Sequence, residues 1–126
     1  MSNARDISEI KELQLVKAFV NLNQSSSING ELLMRDSYNI TSVTDDQTGF
    51  MIVNFEDGLF DDGDWTMTCC GKLQNQLGSA TPHIALQTSS SYTSAATSEV
   101  AKVICTSSAT NDLTDLGAVW LVFYHT

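Results

Sequence analysis

The sequence predicts an all-β fold, an antiparallel β-sandwich of jelly-roll type or a small barrel, with a short N-terminal helix. Apolar residues recur at every second position in several short segments, which is the period of a strand with one buried face. Glycines that follow Asn, Thr or Asp separate these segments, at positions where turns need positive φ. The first 14 residues have a helical period instead. We therefore expect an N-terminal helical segment at residues 1–14 and a single β-domain at residues 15–126.

Several segments of the predicted domain carry the strand pattern. The alternating apolar positions are Val16, Ala18, Val20 and Leu22, then Trp65, Met67 and Cys69, then Ile84 and Leu86, and then Ala101, Val103 and Cys105. Turns are predicted at Asn29-Gly30, Thr48-Gly49, Asp57-Gly58, Asp62-Gly63 and Leu77-Gly78. Stretches of serine, among them Ser25-Ser26-Ser27, are predicted to be loops between the strands.

The N-terminal segment carries an apolar stripe. Ile7, Ile10 and Leu13 recur every three residues among polar neighbours, which predicts an amphipathic helix over residues 3–14. A helix of about twelve residues is marginal alone in water, so its stripe must pack on something. Three partners remain open: the β-domain itself, another protein, or further copies of the same helix in a short coil.

The last predicted strand, at residues 118–125, is apolar on both faces. Trp120, Val122 and Tyr124 occupy one face, and the alternate positions are also apolar. The run that contains Phe50 and Ile52 has the same property. Both faces of such strands need cover, which indicates either a central position in a barrel or contact with neighbouring subunits, and we take it as evidence for the second. We therefore predict an oligomer with an interface at Phe50, Ile52, Trp120, Val122 and Tyr124, and with Ile7, Ile10 and Leu13 as anchor residues.

Composition excludes two classes of partner. The 126 residues carry a formal charge of −9, with only six Lys and Arg residues, so no cationic face for a phosphate backbone is expected. No apolar run approaches the length of a membrane span, and the N-terminus lacks the apolar core of a secretory signal. We expect neither nucleic acid nor membrane as a partner, and assembly in a cytoplasm.

The sequence offers weak metal candidates. Cys69 and Cys70 are adjacent and lack ligand spacing, so we interpret the three cysteines as free thiols rather than as a zinc site. The aspartates of the segment Asp57–Asp64 could supply oxygens to calcium, but their spacing fits no EF-hand and favours a solvated turn. We predict no metal and no cofactor.

Catalysis is also not indicated. His83 and His125 lack the neighbours that mark a nucleophile or its base, so we predict that the protein is not an enzyme. Ser90, Tyr92 and Thr93 place an aromatic ring among small hydroxyls, which is typical of a surface that meets glycans or protein, and equally of an ordinary loop. We keep these three as a candidate receptor-facing loop.

A series of short motifs carries a family resemblance. In order they are Lys17-Ala18-Phe19-Val20-Asn21, Arg35, Tyr38-Asn39-Ile40, Ser42-Val43-Thr44-Asp45, Gly49, Val53-Asn54-Phe55, the acidic segment Asp61 to Trp65, and the turn Asp112 to Asp115 before the apolar strand Val119 to Phe123. The series resembles a β-domain of bacteriophage tail-fibre proteins, common in phages of marine and cyanobacterial hosts. The likeness covers most of residues 15–126 and is most specific from residue 17 to residue 55.

The resemblance implies a virion structural protein without catalytic residues, and tail-fibre domains commonly form homotrimers. Tail fibres usually carry a long shaft before such a domain, whereas only the short helix precedes it here, so we expect a small tail appendage anchored by residues 1–14. Its partners would be itself, other virion proteins, and a host surface glycan or protein. Two alternatives stay open: a capsid decoration protein, of cement or head-fibre type, and a carbohydrate-binding module.

Overall fold

The structure is a computed structural model that describes residues 16–73, 82–86, 97–107 and 113–125. These ranges contain eight β-strands and no helix. The strands are β1 Val16–Ile28, β2 Glu31–Tyr38, β3 Ile40–Gln47, β4 Phe50–Phe55, β5 Trp65–Lys72, β6 Pro82–Leu86, β7 Val100–Ser107 and β8 Ala118–His125. All of their pairings are antiparallel, which confirms the predicted class. The predicted N-terminal helix lies outside the described residues.

The strands form one sheet that is nearly closed into a barrel. Their order is β5-β8-β1-β2-β3-β4-β7-β6. β2 and β3 pair only at Glu31 and Thr44, so the sheet divides there into a first half (β5, β8, β1, β2) and a second half (β3, β4, β7, β6). At the other end of the order, the thiol of Cys69 on β5 donates to the carbonyl oxygen of Ile84 on β6 at 3.7 Å. The two edge strands therefore approach each other and almost complete the ring.

The core fills the inside of this barrel. Alternate residues of five strands are fully buried there: Ala18, Val20 and Leu22, then Val43, then Met51 and Val53, then Ala101, Val103 and Cys105, and finally Val119, Leu121 and Phe123. Burial of each larger side chain contributes roughly 1.5–3 kcal/mol. The alternation predicted for residues 18–22 and 101–105 is thus confirmed.

Aromatic rings pack edge to face in one part of the core. The ring of Phe55 lies 4.9 Å from those of Phe60 and Phe123 and 5.4 Å from that of Trp65, measured between centroids. Such pairs add about 0.5–1.5 kcal/mol beyond the area they bury. The indole nitrogen of Trp65 donates to the carbonyl oxygen of Thr97 at 2.8 Å, so its polar atom is satisfied although the ring is buried.

Residues that carry the family resemblance have structural roles. Asn39 has a positive φ of 58°, and its Nδ2 donates to the carbonyl oxygen of Lys17 at 2.8 Å. It thereby fixes the corner between β2 and β3 against β1. The Nδ2 atom of Asn54 donates to the hydroxyl oxygens of Ser42 and Thr44 on the neighbouring strand, at 3.1 Å each. These side chains hold strands and corners in place.

Two expectations about β1 were wrong. Residues 25–27, predicted to be a loop, belong to β1, because Ser27 pairs with Leu32 of β2 in the following hairpin. Val16, predicted to be buried, is exposed, because the register between β1 and β8 shifts between Val16 and Ala18. In the first case pairing with β2 makes residues 25–27 part of a strand, and in the second the register with β8 leaves Val16 exposed. Local composition specifies neither pairing.

Candidate functional site: an outer aromatic face and a cationic pocket

Aromatic side chains cluster on the outer surface of the first half. The ring centroid of Phe19 on β1 lies 6.1 Å from that of Tyr38 on β2 and 6.4 Å from that of Trp120 on β8. Tyr38 is 51% exposed and Trp120 is 40% exposed. Val122 and Tyr124 continue the same side of β8 and are half-buried. We call Phe19, Tyr38, Trp120, Val122 and Tyr124 the outer aromatic face.

The outer aromatic face follows from the alternation along β8. The inward residues Val119, Leu121 and Phe123 are fully buried, whereas the outward residues Trp120, Val122 and Tyr124 lie beside β1 and β5 and are half-buried or exposed. Within the described residues, the chain itself covers the inner side of β8 and leaves the outer side open. Exposed apolar patches of this kind usually mark interaction sites.

Phe50 and Ile52, the other β-domain residues predicted at an interface, lie elsewhere. They are half-buried on the outer side of β4, where they pair with Ile104 and Lys102 of β7. β1, β2 and β3 separate β4 from β8 in the sheet order. The predicted interface residues of the β-domain therefore form two separate surfaces, of which the one around Trp120 is the more exposed.

Two further groups of predicted site residues belong to other segments of the chain. Ile7, Ile10 and Leu13 of the anchor segment, and Ser90, Tyr92 and Thr93 of the candidate receptor-facing loop, lie outside the described residues.

A polar cavity of about 420 Å³ opens beside the start of β8. We call it the cationic pocket, and its lining residues are Asn23, Ser25, Arg35, Lys72, Leu73, Gly117 and Ala118. Ala118 pairs with Lys72 and is two residues from Trp120, on the same side of β8. The pocket therefore adjoins the outer aromatic face, at a distance of about 7 Å along the strand.

A β-bulge creates the cationic pocket. Asn21 of β1 pairs with Asp36 of β2, and Leu22 pairs with Met34, so Arg35 is an extra residue without an opposite partner. Bulges redirect a side chain out of the regular alternation. The side chain of Arg35 reaches the residue just before β8, where its Nη2 donates to the carbonyl oxygen of Gly117 at 3.3 Å.

The pocket also needs the break in β1 that follows the bulge. After Leu22, the next residue of β1 that pairs with β2 is Ser27, so residues 23–26 leave the β1–β2 ladder. In this stretch both the backbone nitrogen and the hydroxyl of Ser25 donate to Asn23 Oδ1, at 3.0 and 2.7 Å. The oxygen of the Asn23 amide is thus occupied, which leaves its NH₂ group to face a ligand.

The charge of the pocket contrasts with that of the chain. Arg35 and Lys72 are two of the four Lys and Arg side chains in the described ranges, and none of the cavity's lining residues in these ranges carries a carboxylate. Asp36, the residue that follows Arg35 in β2, does carry a carboxylate. Its Oδ1 accepts from the backbone nitrogen of Ser37 at 2.9 Å. Sequence reasoning missed this site, because Arg35 was noted only as part of the family resemblance, Lys72 belongs to no motif, and the two line one cavity only through strand pairing.

The aspartates considered as metal ligands and the cysteines considered as reactive thiols give little support for either role. Asp57, Asp61, Asp62 and Asp64 are exposed, and in the described ranges no three His, Cys, Asp or Glu residues are grouped to hold a metal ion. Burial raises the pKa of the Cys105 thiol from 9.0 to about 12. Burial, and then the neighbouring Cys70, also raises the pKa of Cys69. Both shifts keep the thiols protonated and poorly nucleophilic.

No described segment is a helix with the length and apolar character needed to cross a membrane.

Comparison with known proteins finds one fold likeness. No protein-family model matches the sequence, and no curated protein matches it. Among solved structures, the chain is similar to the phiAB6 phage tailspike, determined in complex with three-repeated oligosaccharides of Acinetobacter baumannii surface polysaccharide. The TM-score is 0.52 and the identity 19%, over 86% of this chain and 20% of the tailspike chain. The chain thus spans about a fifth of the tailspike and shares the β fold of that part of a phage tail protein.

Proposed function

We propose that the protein is a non-catalytic structural component of a phage virion, part of a small tail appendage of the fibre or tailspike type that contacts the host surface. The fold likeness to a segment of a phage tailspike supports this, as do the motifs shared with tail-fibre domains. The whole tailspike is about five times longer than the matched region, so the proposal concerns a structural role and not the activity of that complete protein.

The appendage assembles from several copies of the chain, three if it follows the tail-fibre domains it resembles. The observation that carries this step is the exposure of Tyr38 and Trp120 around the half-buried ring of Phe19. Trp and Tyr are enriched at the centres of protein interfaces, where their large rings become desolvated. A second copy of the chain is the occupant we assign to the outer aromatic face.

Sedimentation of the full 126-residue chain tests the assembly. We expect a species of about three times 13.7 kDa for the unmodified protein and a shift to monomer for Trp120→Ser. Leu33→Ser is the matched control, because it removes a side chain that is also about half exposed but lies outside the outer aromatic face. A monomer at all micromolar concentrations would contradict the assembly.

The location in the virion needs a separate test. Mass spectrometry of separated phage heads and tails should find the protein with the tails. Recovery with the heads would instead support the capsid decoration alternative, in which residues 1–14 bind capsomers and the β-domain faces outward.

A further inference from the structure

We infer that the cationic pocket binds the carboxylate of an acidic saccharide. This rests on the proposed contact with a host surface and specifies the kind of group recognised there. The argument uses the donor chemistry of the lining side chains, the size of the cavity, and its position beside the outer aromatic face.

The lining side chains mainly offer hydrogen-bond donors. Arg35 uses one guanidinium nitrogen for Gly117 O at 3.3 Å, which leaves its other N–H groups available. Lys72 brings an ammonium group with three donors, and Asn23 brings an NH₂ group whose companion oxygen already accepts from Ser25. Such a set fits a negatively charged oxygen group, because charge-assisted hydrogen bonds are about twice as strong as neutral ones.

The position of Arg35 in the bulge is a second feature of the pocket. The bulge directs this exposed side chain out of the regular alternation, and its hydrogen bond to Gly117 O at 3.3 Å favours an orientation across the gap that residues 23–26 leave beside β2. An orientation that is set before binding lowers the entropy that binding costs. Two positive side chains therefore line one cavity, and none of its described lining residues is a carboxylate, although the formal charge of the chain is −9.

The size and polarity of the cavity favour a sugar. About 420 Å³ is within the range of small-ligand sites and exceeds what a single carboxylate side chain requires. Beyond the cations, the Ser25 hydroxyl oxygen and the second lone pair of Gly117 O can accept hydrogen bonds from sugar hydroxyls, since the Ser25 hydroxyl already donates to Asn23 and the Gly117 N–H to Lys72 O. The pocket lies at the margin of the outer aromatic face, where interfaces are polar and solvent remains accessible.

Calorimetric titration of the full chain tests the inference. The probes are an oligogalacturonate, the neutral maltotriose and inorganic phosphate. We expect the oligogalacturonate to bind, with an affinity that falls as salt rises, and maltotriose not to bind. The double variant Arg35→Gln/Lys72→Gln should lose at least about tenfold in affinity. Lys17→Gln/Lys102→Gln removes the same charge outside the pocket and should bind as the unmodified protein does.

Four results would overturn the inference. They are the absence of oligogalacturonate binding, equal weakening in both double variants, phosphate binding as tight as that of the saccharide, and a fall in sedimenting mass for Arg35→Gln/Lys72→Gln without saccharide binding. The last result would assign the pocket to a carboxylate of a second copy. A monomeric protein that still binds the saccharide through Arg35 and Lys72 would contradict the proposed assembly and leave this inference standing.

Discussion

Gln24 and Leu116 are joined by two hydrogen bonds although 92 residues separate them in the chain. The backbone nitrogen of Gln24 donates to the carbonyl oxygen of Leu116 at 3.0 Å, and the backbone nitrogen of Leu116 donates to Gln24 Oε1 at 2.9 Å. The Gln24 side chain is fully buried, and this pair ties the middle of β1 to the segment that leads into β8. The cationic pocket opens at that junction, so its shape depends on this contact.

Replacement of Gln24 by Leu should destabilise the protein by about 1–3 kcal/mol, because the buried N–H of Leu116 loses its acceptor. Urea unfolding followed by circular dichroism measures the change, with Ser27→Ala on the exposed end of β1 as the control. Gln24 Nε2 has no hydrogen-bond partner among the described residues. An unchanged unfolding midpoint would therefore mean that removal of this unsatisfied group offsets the lost bond, contrary to our expectation.

Gly49→Ala should destabilise the fold far more than Gly58→Ala. Both glycines have positive φ, 79° and 75°, so both substitutions carry backbone strain of roughly 1–2 kcal/mol. A Cβ atom at Gly49 would also lie 2.8 Å from the carbonyl oxygen of Cys105, whereas the space around Gly58 is open. Because the backbone strain is similar at the two positions, the difference between their urea midpoints reports the steric clash at Gly49. Equal midpoints would show that the β3–β4 turn can move away from β7.

At Asn39, Ala should cost more stability than Gly. Both substitutions remove the hydrogen bond to Lys17 O, worth about 1 kcal/mol, but only Ala also strains the positive φ of 58°. We expect Asn39→Gly to lose about 1 kcal/mol and Asn39→Ala about 2–3 kcal/mol in the free energy of unfolding. The reverse order would indicate that the corner between β2 and β3 changes its backbone conformation on substitution.

Cys105 should make stability fall as pH rises from 9 toward 12. Its folded-state pKa is about 12, against 9.0 for an ordinary thiol, chiefly because of burial. In that window the unfolded chain binds fewer protons than the folded one, so the free energy of unfolding decreases with pH, by at most about 1.4 kcal/mol per unit. The stabilisation is complete below pH 9 and disappears as the pH approaches 12.

The comparison of Cys105→Ala with Cys70→Ala isolates this effect. Cys70 is exposed, so its variant should keep the slope between pH 9 and 12, while the Cys105 variant should have a flatter one. Identical slopes would assign the alkaline loss of stability to other groups. In the folded protein, a thiol reagent at pH 8 should also modify Cys70 before Cys105.

Tryptophan fluorescence should report assembly directly. The sequence contains two tryptophans, so Trp65→Phe leaves Trp120 as the sole reporter. Acrylamide should quench Trp120 well in dilute protein and poorly at concentrations where copies associate. In Trp120→Phe, the remaining Trp65 is 7% exposed and should be protected at every concentration. Quenching of Trp120 that does not depend on concentration would argue against its burial between copies.

The period-two pattern of apolar residues correctly predicted which side chains face the core. It did not predict the positions where a strand departs from that pattern. Period-two alternation located Ala18, Val20 and Leu22 because an inward side chain is apolar whatever strand lies opposite. Gln24 continues that inward row as a polar residue beside serines, which is a composition typical of loops. Its burial depends on a partner 92 residues away, and no local signal specifies that partner.

The candidate site was predictable in part for the same reason. The two-sided apolar character of residues 118–125 indicated an outer surface around Trp120 before any pairing was known. Phe19 and Tyr38 joined that surface through the register of β1 with β8 and β2. Arg35 and Lys72 line one cavity because a bulge redirects the first and the pairing of β5 with β8 places the second, and neither event has a local sequence signal.

The place of β8 in the sheet has a consequence for biosynthesis. This strand fills the gap between β5 and β1, yet it emerges from the ribosome after both of them. Closing such a ring from distant parts of the chain is slow, since the intervening polypeptide must first be brought together. A translation product that stops before residue 118 would therefore lack the ring of Trp120 and the part of the inner wall formed by Val119, Leu121 and Phe123. Such a product would lack the side chain around which copies of the chain are proposed to associate.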